Sequence, residues 1–340
     1  MNQSLSSVEI CAGAGGQALG LERSGFNHRA VVEIDPHAAE TLRLNRPQWN
    51  IFEEDVLKFE IDPFSEDLDL LAGGVPCPPF SIAGKQLGAH DERDLFPRAI
   101  ELAGVAAPKA VMLENVRGLA QPRFAAYRYE LIAAFEDLGY TVFWELLTAS
   151  EFGVPQLRPR FILVALKHQY AEFFTWPEPN SNYITVGEAL KELMAENGWP
   201  GAEAWAKNAS TVAPTLVGGS KKHGGPDLGP SRAREAWKKL GVKGTSIAEE
   251  APGPDFPTDN RIEMPRLTVK MGATIQGFPS TWKWAGGKTA AWKQVGNAFP
   301  PPVAEAVGNR IAAAIRMEPL SKTHPRAVPY LIEQPFIESF

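Results

Sequence analysis

The sequence predicts an α/β protein: a doubly wound, mainly parallel sheet with a second, smaller, loop-rich domain. Over the first 165 residues, short apolar runs alternate with helical patterns. From about residue 176 this alternation weakens, and proline and glycine cluster. An amphipathic helical pattern then returns near residue 302. Strands that alternate with helices are typical of βαβ units and of sheets covered on both faces.

Six short apolar runs predict buried strands, which we expect to run parallel. They are Val8–Cys11, Arg29–Ile34, Leu68–Gly73, Lys109–Glu114, Thr141–Leu147 and Phe161–Leu166. The clearest helix is predicted over Phe124–Leu138, where apolar side chains form one stripe before the stop signal Gly139. A last helix is predicted over Pro302–Ile315, and we expect it to pack back on the first domain.

That return of the chain predicts a discontinuous large domain, residues 1–175 plus 288–340, and a small domain, residues 176–287. Seven of the nine tryptophans lie between residues 176 and 292, so we expect a few large side chains to build the small core. Residues 318–340 are rich in proline and are predicted to form an extended or weakly ordered tail.

Composition excludes several classes of protein. With 44% hydrophobic residues in 340, the chain is neither disordered nor fibrous. It has no apolar run of 18 residues, and its first residues lack the pattern of a secretory signal, so we expect a cytoplasmic protein without a membrane span. Two cysteines, Cys11 and Cys77, are too few for a disulfide framework or a multi-cysteine zinc site, so we expect no metal.

Charge is unevenly distributed along the chain, although the net charge is only −6. Residues 53–69 carry eight acidic side chains and one lysine. Residues 206–244 carry eight basic side chains and two acidic ones. The basic segment is where a polyanion can bind. A solvated helix face with basic flanks explains the same pattern equally well.

A glycine turn follows the first predicted strand, in the run Gly13-Ala14-Gly15-Gly16. Glycines at this place let the backbone turn tightly and approach a nucleotide-like ligand. Glu33 ends the second strand about twenty residues later, where a carboxylate can accept from both hydroxyls of a ribose. Asp55, in the third unit, can accept from an adenine amino group. A purely structural glycine turn is the alternative.

Three further motifs lie at the ends of predicted strands. Cys77 stands between prolines on the loop after residue 73, as a candidate nucleophile or a small buried hydrophobe. Glu114 ends the next strand, where burial tends to raise the pKa of a carboxyl group; it can also be an ordinary loop residue. Arg158 and Arg160 are two apart, so in extended backbone they point to the same side and can clamp an anion or orient Glu114; a surface ion pair is the alternative.

Taken together and in this order, the motifs resemble those of the cytosine-C5 DNA methyltransferase family, of the bacterial restriction-modification type. The resemblance covers residues 6–166 and 261–315. It includes the run from Pro265 to Pro279, which is similar to the motif framing the family's target recognition region. It also includes Gln294 to Pro300, which is similar to the family's closing motif. The small domain would then be the target recognition domain.

The resemblance implies a fold and a cofactor. The fold would be that of S-adenosylmethionine-dependent methyltransferases. The cofactor would be S-adenosylmethionine, and its product would be S-adenosylhomocysteine. It implies a cofactor site formed by residues of the glycine turn, the second and third units and the closing motif. These residues are Cys11, Ala12, Gly13, Gly15, Gly16, Glu33, Ile34, Asp55, Val56, Gly74, Pro76, Asn297 and Ala298.

The resemblance also implies a reaction. Cys77 would add to C6 of cytosine, Glu114 would hold or protonate N3, and Arg160 with Arg158 would hold the O2 side. Double-stranded DNA would be the partner, and the target base would flip out of the helix. Residues 82–96 would form a loop that closes over the base. Candidate DNA contacts are Ser81, Lys85, Gln86, Arg93, Thr215, Lys221, Lys222, His223 and Arg232.

We expect a monomer, and a cognate restriction endonuclease, if there is one, need not bind to it. Three alternatives stay open at this point. The chain can be an RNA-methylating relative with the same catalytic residues, a DNA-binding protein without activity, or a nicotinamide-dependent oxidoreductase. The last would have no use for the Cys77, Glu114 and Arg158–Arg160 motifs together.

Overall fold

The computed structural model describes residues 4–76, 94–180, 183–218, 226–320 and 327. Seven strands form one sheet in the order β3-β2-β1-β4-β5-β7-β6. The strands are β1 Leu5–Ile10, β2 Phe26–Val32, β3 Ile51–Phe52, β4 Leu70–Gly73, β5 Ala110–Val116, β6 Tyr140–Thr148 and β7 Pro159–Lys167. The predicted doubly wound, mainly parallel α/β fold is therefore confirmed, and the short β3 is a strand that the apolar pattern did not reveal.

Strand β7 corrects one expectation, because it runs antiparallel to both β5 and β6. The chain passes from β6 to β7 through residues 149–158, which hold a short 3-10 turn. A parallel neighbour needs a crossover of about a dozen residues or more, usually a helix. The connection is too short for that, so the strand reverses between its neighbours.

Eleven helices lie within the described residues. They are α1 Gly16–Arg23, α2 Pro36–Asn45, α3 Phe96–Ala106, α4 Ala125–Asp137, α5 His168–Ala171, α6 Val186–Ala195, α7 Ala202–Asn208, α8 Ser231–Lys239, α9 Val269–Ile275, α10 Lys288–Asn297 and α11 Pro301–Ile315. The predicted helix over 124–138 corresponds to α4, and that over 302–315 corresponds to α11. None of them is long and apolar enough to cross a membrane.

Helices cover both faces of the sheet. On one face, α3 and α4 bury side chains such as Phe96 and Phe135 against β1 and β5. On the other face, α11 packs against α1, and both close over the apolar side chains of the sheet. A methyl group at Gly20 of α1 would lie 2.5 Å from the carbonyl oxygen of Pro301, so the two helices touch along their backbones. Residues from the two ends of the described chain thus share one core.

A third apolar cluster belongs to residues 186–298 together with Leu19 of α1. Its large side chains include Trp199, Trp205, Trp237 and Trp292, all buried. Aromatic side chains bury a large area each, which lets a loop-rich region form a core with few regular elements. The exact limits of the two domains stay a prediction.

Candidate active site

A cavity of about 460 Å3 lies at the edge of the sheet where β1, β2, β4 and β5 end. In open α/β sheets, ligands bind outside the carboxyl ends of the strands. We call this the sheet-edge cavity. Its lining residues are Glu9, Cys11, Ala12, Gly13, Ala14, Gln17, Glu33, Ile34, Asp35, Pro36, Ala38, Gly74, Glu114, Lys293, Gln294, Asn297, Ala298 and Phe299.

Glu33 joins the glycine turn to the start of α2. One carboxylate oxygen accepts from the N–H of Gly13, and the other accepts from the N–H of Asp35, both at 2.7 Å. Burial raises the pKa of Glu33, and these two backbone donors counteract that shift. A carboxylate oxygen has lone pairs beyond one bond, so Glu33 can still accept from a ligand hydroxyl in the cavity.

The glycines of the turn divide into two kinds. Gly13 lines the cavity with φ +56°, and a methyl group added there meets no described atom within 4 Å. At Gly15 the same group would lie 2.6 Å from Leu42, and at Gly16 it would lie 2.0 Å from the carbonyl oxygen of Phe299. Gly15 and Gly16 are therefore required by packing, whereas Gly13 faces the space that a ligand can enter.

Cys11 lines the cavity, but its thiol is not activated. Burial raises its pKa to about 12, and the carboxylates of Glu33, Asp55 and Glu9 add to the shift. Asp55 itself is not part of the cavity wall and accepts from the N–H of Leu57 at 3.0 Å. Val56 is buried in the core beneath the sheet edge. These two predicted cofactor residues are thus not among the residues that line the described cavity.

Two buried polar side chains in the cavity wall were not predicted from the sequence. Glu9 is 0% exposed in β1, and Gln17 is 3% exposed in α1. Within the described residues, none of their side-chain oxygen and nitrogen atoms makes a hydrogen bond of normal geometry. Burial raises the pKa of Glu9 well above its usual range. A carboxyl group inside the otherwise apolar run Val8–Cys11 was the signal that could have revealed it.

A second cavity, of about 490 Å3, meets the first one. We call it the arginine cavity. Gly74, Glu114 and Asn297 belong to the walls of both cavities. The other residues of the arginine cavity are Val75, Pro76, Asn115, Val116, Arg158, Arg160, Thr215, Leu216, Val217, Gly218 and Gly296. Predicted residues from both domains, including Pro76 and Thr215, therefore come together around Glu114.

Glu114 and Arg160 form an ion pair at this junction, with 2.7 Å between Oε1 and Nε. Their side chains are 13% and 12% exposed. Burial raises the pKa of Glu114, as the sequence predicts, while Arg160 and then Arg158 counteract the shift. The neighbouring Asn115 donates to the carbonyl of Val75 at 2.7 Å. Asn115 thereby anchors the segment that leads directly to Cys77.

Arg158 lines the arginine cavity together with Arg160, but its guanidinium binds other partners. Its backbone has φ +32°, so it is not extended, and β7 begins only at the next residue. The side chain is buried, and its two terminal nitrogens donate to the carbonyls of Leu216 at 2.9 Å and Gly296 at 3.1 Å. The guanidinium of Arg158 is thus committed to main-chain carbonyls, while Arg160 holds Glu114.

The remaining candidates fall into two groups. Arg232 is exposed near the start of α8, away from the walls of both cavities. The others lie outside the described residues: Cys77, Ser81, Lys85, Gln86, Arg93, Lys221, Lys222 and His223. Of the predicted closing loop, residues 94–96 are described, and α3 begins at Phe96. In the described part of the chain, no group of three or more acidic, histidine or cysteine side chains is placed to hold a metal ion.

The fold defines the class of protein first. The chain is similar to the solved structure of an Entamoeba histolytica methyltransferase, with TM-score 0.65, 14% identity and coverage of 91% of this chain and 98% of that one. It is also similar to a Spodoptera frugiperda DNMT2 mutant, with TM-score 0.62, 17% identity and coverage of 91% and 99%. The chain therefore has the fold that these two solved methyltransferase structures share.

The family follows from the sequence comparison. The family described as C-5 cytosine-specific DNA methylase matches residues 5–313, and the chain belongs to it. It is 58% identical over 319 residues to type II methyltransferase M.NaeI of Lentzea aerocolonigenes, covering 93% of this chain and 76% of that protein. It is 54% identical over 317 residues to type II methyltransferase M.NgoMIV of Neisseria gonorrhoeae, covering 92% and 99%. The chain is thus an enzyme that methylates C5 of cytosine in DNA.

Proposed function

We propose that this enzyme transfers a methyl group from S-adenosylmethionine to C5 of a cytosine that is flipped out of a specific short sequence in duplex DNA. One observation carries the proposal: the sheet-edge cavity and the arginine cavity meet at the buried Glu114–Arg160 pair. One cavity has the chemistry of a cofactor site, and the other opens beside residues 215–218 of the small domain. The type II methyltransferases it resembles support a short recognition sequence.

The residues of the sheet-edge cavity fit S-adenosylmethionine. Glu9, Glu33, Asp35 and Glu114 contribute carboxyl groups to its wall, against the ammonium group of Lys293, which pairs with Asp35 at 2.8 Å. Such a wall suits a ligand with a positively charged sulfur and an amino group. Glu9 and Gln17 hold buried polar atoms that a ligand's amino and carboxylate groups would satisfy. Ile34 is 64% exposed, which gives a purine ring an apolar face to lie against.

When bound, S-adenosylmethionine supplies an electrophilic methyl group and leaves as S-adenosylhomocysteine. The residues of the chain prepare the base for it. C5 of cytosine is a poor nucleophile, and addition of the Cys77 thiolate to C6 turns the ring into an enamine that is a better one. Glu114 holds N3 and supplies or retains a proton there as charge develops. The raised pKa of Glu114 suits that role, because a carboxyl group with a raised pKa keeps its proton more readily than an ordinary one does.

The remaining steps restore the enzyme. After C5 is methylated, the proton on C5 leaves to a base, and the electron pair of that C–H bond re-forms the C5–C6 double bond. The Cys77 thiolate departs, and N3 returns to Glu114 any proton that it received. Arg160 keeps Glu114 in place through its 2.7 Å contact. Arg158 acts as a positioning residue, because both its terminal nitrogens bind the main chain. The product is 5-methylcytosine in DNA.

The small domain supplies the DNA-reading surface. Thr215 faces the arginine cavity, into which the flipped base would enter. Helix α8 follows close behind, because a methyl group at Gly229 would lie 3.1 Å from the side chain of Val217. Arg232, Lys238 and Lys239 of α8 are exposed, and no described carboxylate pairs with them. Free cations at this place suit DNA phosphates, which carry most of the affinity in such complexes.

We infer that the enzyme acts as a monomer in the cytoplasm, where its DNA substrate lies in the bacteria that carry its relatives. A restriction endonuclease of the same specificity would be a genetic partner and need not bind it. An RNA-methylating relative would use the same catalytic residues, so tRNA is the second substrate in the test.

The test uses a fluorine at C5, which blocks the departure of the proton and leaves the thiolate bound. A pool of mixed-sequence duplexes with 5-fluorocytosine and S-adenosylmethionine should give a complex that survives denaturing electrophoresis. Cys77→Ser should abolish it, since an alcohol is a far weaker nucleophile, while Cys11→Ser, the matched control, should not. A complex that persists in Cys77→Ser would exclude Cys77. Trapping on tRNA but not on duplex DNA would overturn the proposed substrate.

Cofactor binding has a separate test. Glu33→Ala should raise the Kd for S-adenosylmethionine in a calorimetric titration while the far-UV circular dichroism stays that of the native chain. Unchanged affinity would show that the sheet-edge cavity is not the cofactor site. It would also favour the alternative that the glycine turn has a purely structural role.

A further inference from the structure

We propose that Gln156 and Gln276 form a positioning pair, which sets the place of the target base by locking the recognition segment, residues 215–218, to the closing segment, residues 294–298. The inference rests on the proposed function and adds residues to which sequence reasoning gave no role. It concerns how the two cavities keep their relative position.

The two glutamines bond directly to each other. Both side chains are 0% exposed, and Nε2 of Gln156 donates to Oε1 of Gln276 at 2.5 Å. Oε1 of Gln156 accepts from the N–H of Leu216 at 3.1 Å. Nε2 of Gln276 donates to the carbonyl of Val295 at 2.6 Å. An unbroken line of hydrogen bonds thus runs from the recognition segment, through both amides, to the closing segment.

Arg158 holds the same two segments from the other side of the peptide. It donates to the carbonyls of Leu216 and Gly296. Leu216 is therefore fixed at both its N–H, by Gln156, and its carbonyl, by Arg158. A main-chain group held at both ends has no freedom to slide along its neighbour. The glutamine pair and Arg158 together define its register.

The two segments also contact each other directly. A methyl group at Gly296 would lie 2.2 Å from the carbonyl carbon of Val217. One at Gly218 would lie 2.7 Å from Oδ1 of Asn297. The two segments are therefore closely packed, so a shift of the recognition segment would displace the closing segment.

The position of this unit is what gives it a catalytic consequence. Residues 215–218 line the arginine cavity together with Glu114 and Arg160. Asn297 of the closing segment lies in the wall of both cavities. The glutamine pair therefore sets the distance between the residues that hold the base and the wall that holds the cofactor. Apolar side chains would fill the same volume, but they carry no directional bonds to fix that register.

The experiment compares single and double substitutions in the full-length enzyme. Gln156→Met and Gln276→Met keep the length and roughly the volume of the side chain but remove its amide group. Each single variant removes one amide's bonds to the main chain and leaves the other amide without its glutamine partner, so we expect both to unfold at lower temperature. The double variant removes both amides, so it should regain part of that stability.

The rate of trapping on the 5-fluorocytosine duplex separates positioning from stability. At saturating DNA and cofactor, we expect all three variants to trap about tenfold or more slowly, since small misplacement in a reacting site is costly. The Kd for unmodified duplex should stay within about threefold, because the loss arises after binding. The matched control is Asn45→Ala, which removes side-chain bonds to the carbonyls of Thr41 and Lys283, away from both cavities. It should trap at the wild-type rate.

The outcomes are distinct. A double variant with regained stability and slow trapping supports the positioning pair. A double variant that traps at the wild-type rate, or that does not fold, overturns it, because the glutamines then serve stability alone. Absence of trapping by the wild-type enzyme would count against the proposed function itself, on which the inference depends.

Discussion

Arg160 Nε lies 2.7 Å from Glu114 Oε1, and this nearly buried pair stands where the sheet-edge cavity meets the arginine cavity. Glu114 lies near the carboxyl end of β5, and Arg160 lies opposite Val116, the last residue of that strand, in the antiparallel β5–β7 ladder. The reversal of β7 is thus what brings the arginine to the carboxyl end of its neighbour. A parallel β7 would have carried Arg160 toward the opposite edge of the sheet.

Glu114→Gln tests the chemical role at this junction. The amide keeps the shape of the side chain but cannot exchange a proton with N3. We expect trapping on 5-fluorocytosine to slow by about 10²-fold or more, while affinity for the unmodified duplex changes little. Gel-resolved single-turnover trapping and a fluorescence anisotropy titration measure the two quantities. If the trapping rate and the affinity for unmodified duplex fell by the same factor, the variant would have a defect in DNA binding instead.

Glu9→Gln tests the buried carboxyl group of the sheet-edge cavity through the pH dependence of stability. Its pKa in the folded chain lies well above the usual 4.5. Between these two values the folded chain holds a proton that the unfolded chain has lost, so stability falls as pH rises through that window. The glutamine does not titrate. The Tm of the cofactor-free variant should therefore fall less between pH 5 and pH 8 than that of the wild type.

The same variant should bind S-adenosylmethionine more weakly, because the carboxyl group is lost as a partner for the ligand's amino group. Calorimetry at one pH measures this. A Tm profile identical to that of the wild type would show that Glu9 does not hold its proton in the folded state.

Gly13→Ala and Gly16→Ala form a matched pair within one turn. At Gly16 the new methyl group would lie 2.0 Å from the carbonyl oxygen of Phe299, so the closing segment must move and we expect a loss of several degrees in Tm. At Gly13 there is space, but φ is +56°, so strain of about 1 kcal/mol is expected together with weaker cofactor binding. Thermal unfolding with and without S-adenosylmethionine distinguishes them. Equal losses of Tm would contradict this division of the turn.

Lys221→Ala combined with Lys222→Ala tests the basic segment as a DNA contact. Both lysines lie outside the described residues, in the segment that carries eight basic and two acidic side chains. Each lost phosphate contact should reduce the slope of log affinity against log salt by about 0.9. Filter binding at several salt concentrations measures it. An unchanged slope would place the DNA elsewhere, and a loss at one base position alone would indicate base reading.

The sequence alone predicted the α/β class, most of the strands and the candidate residues Glu33, Glu114 and Arg160. These predictions depend on local signals: a short apolar run, a glycine turn, a carboxyl group at a strand end. Each such signal is contained in a few neighbouring residues, so a linear reading can find it. The glycine turn also indicated the edge of the sheet at which the cavity lies.

Only the tertiary structure decided how these pieces meet. The strand pattern at residues 161–166 did not reveal the direction of β7, which depends on the length of the preceding connection. Arg158 has the same side chain as Arg160, but its partners, the carbonyls of Leu216 and Gly296, lie far along the chain. Glu9 and Gln17 line the sheet-edge cavity, whereas Asp55 is not among its lining residues. Segments distant in sequence decide which side chains face the cavity. Burial and partner choice are set by distant segments, and no pattern of neighbouring residues contains that information.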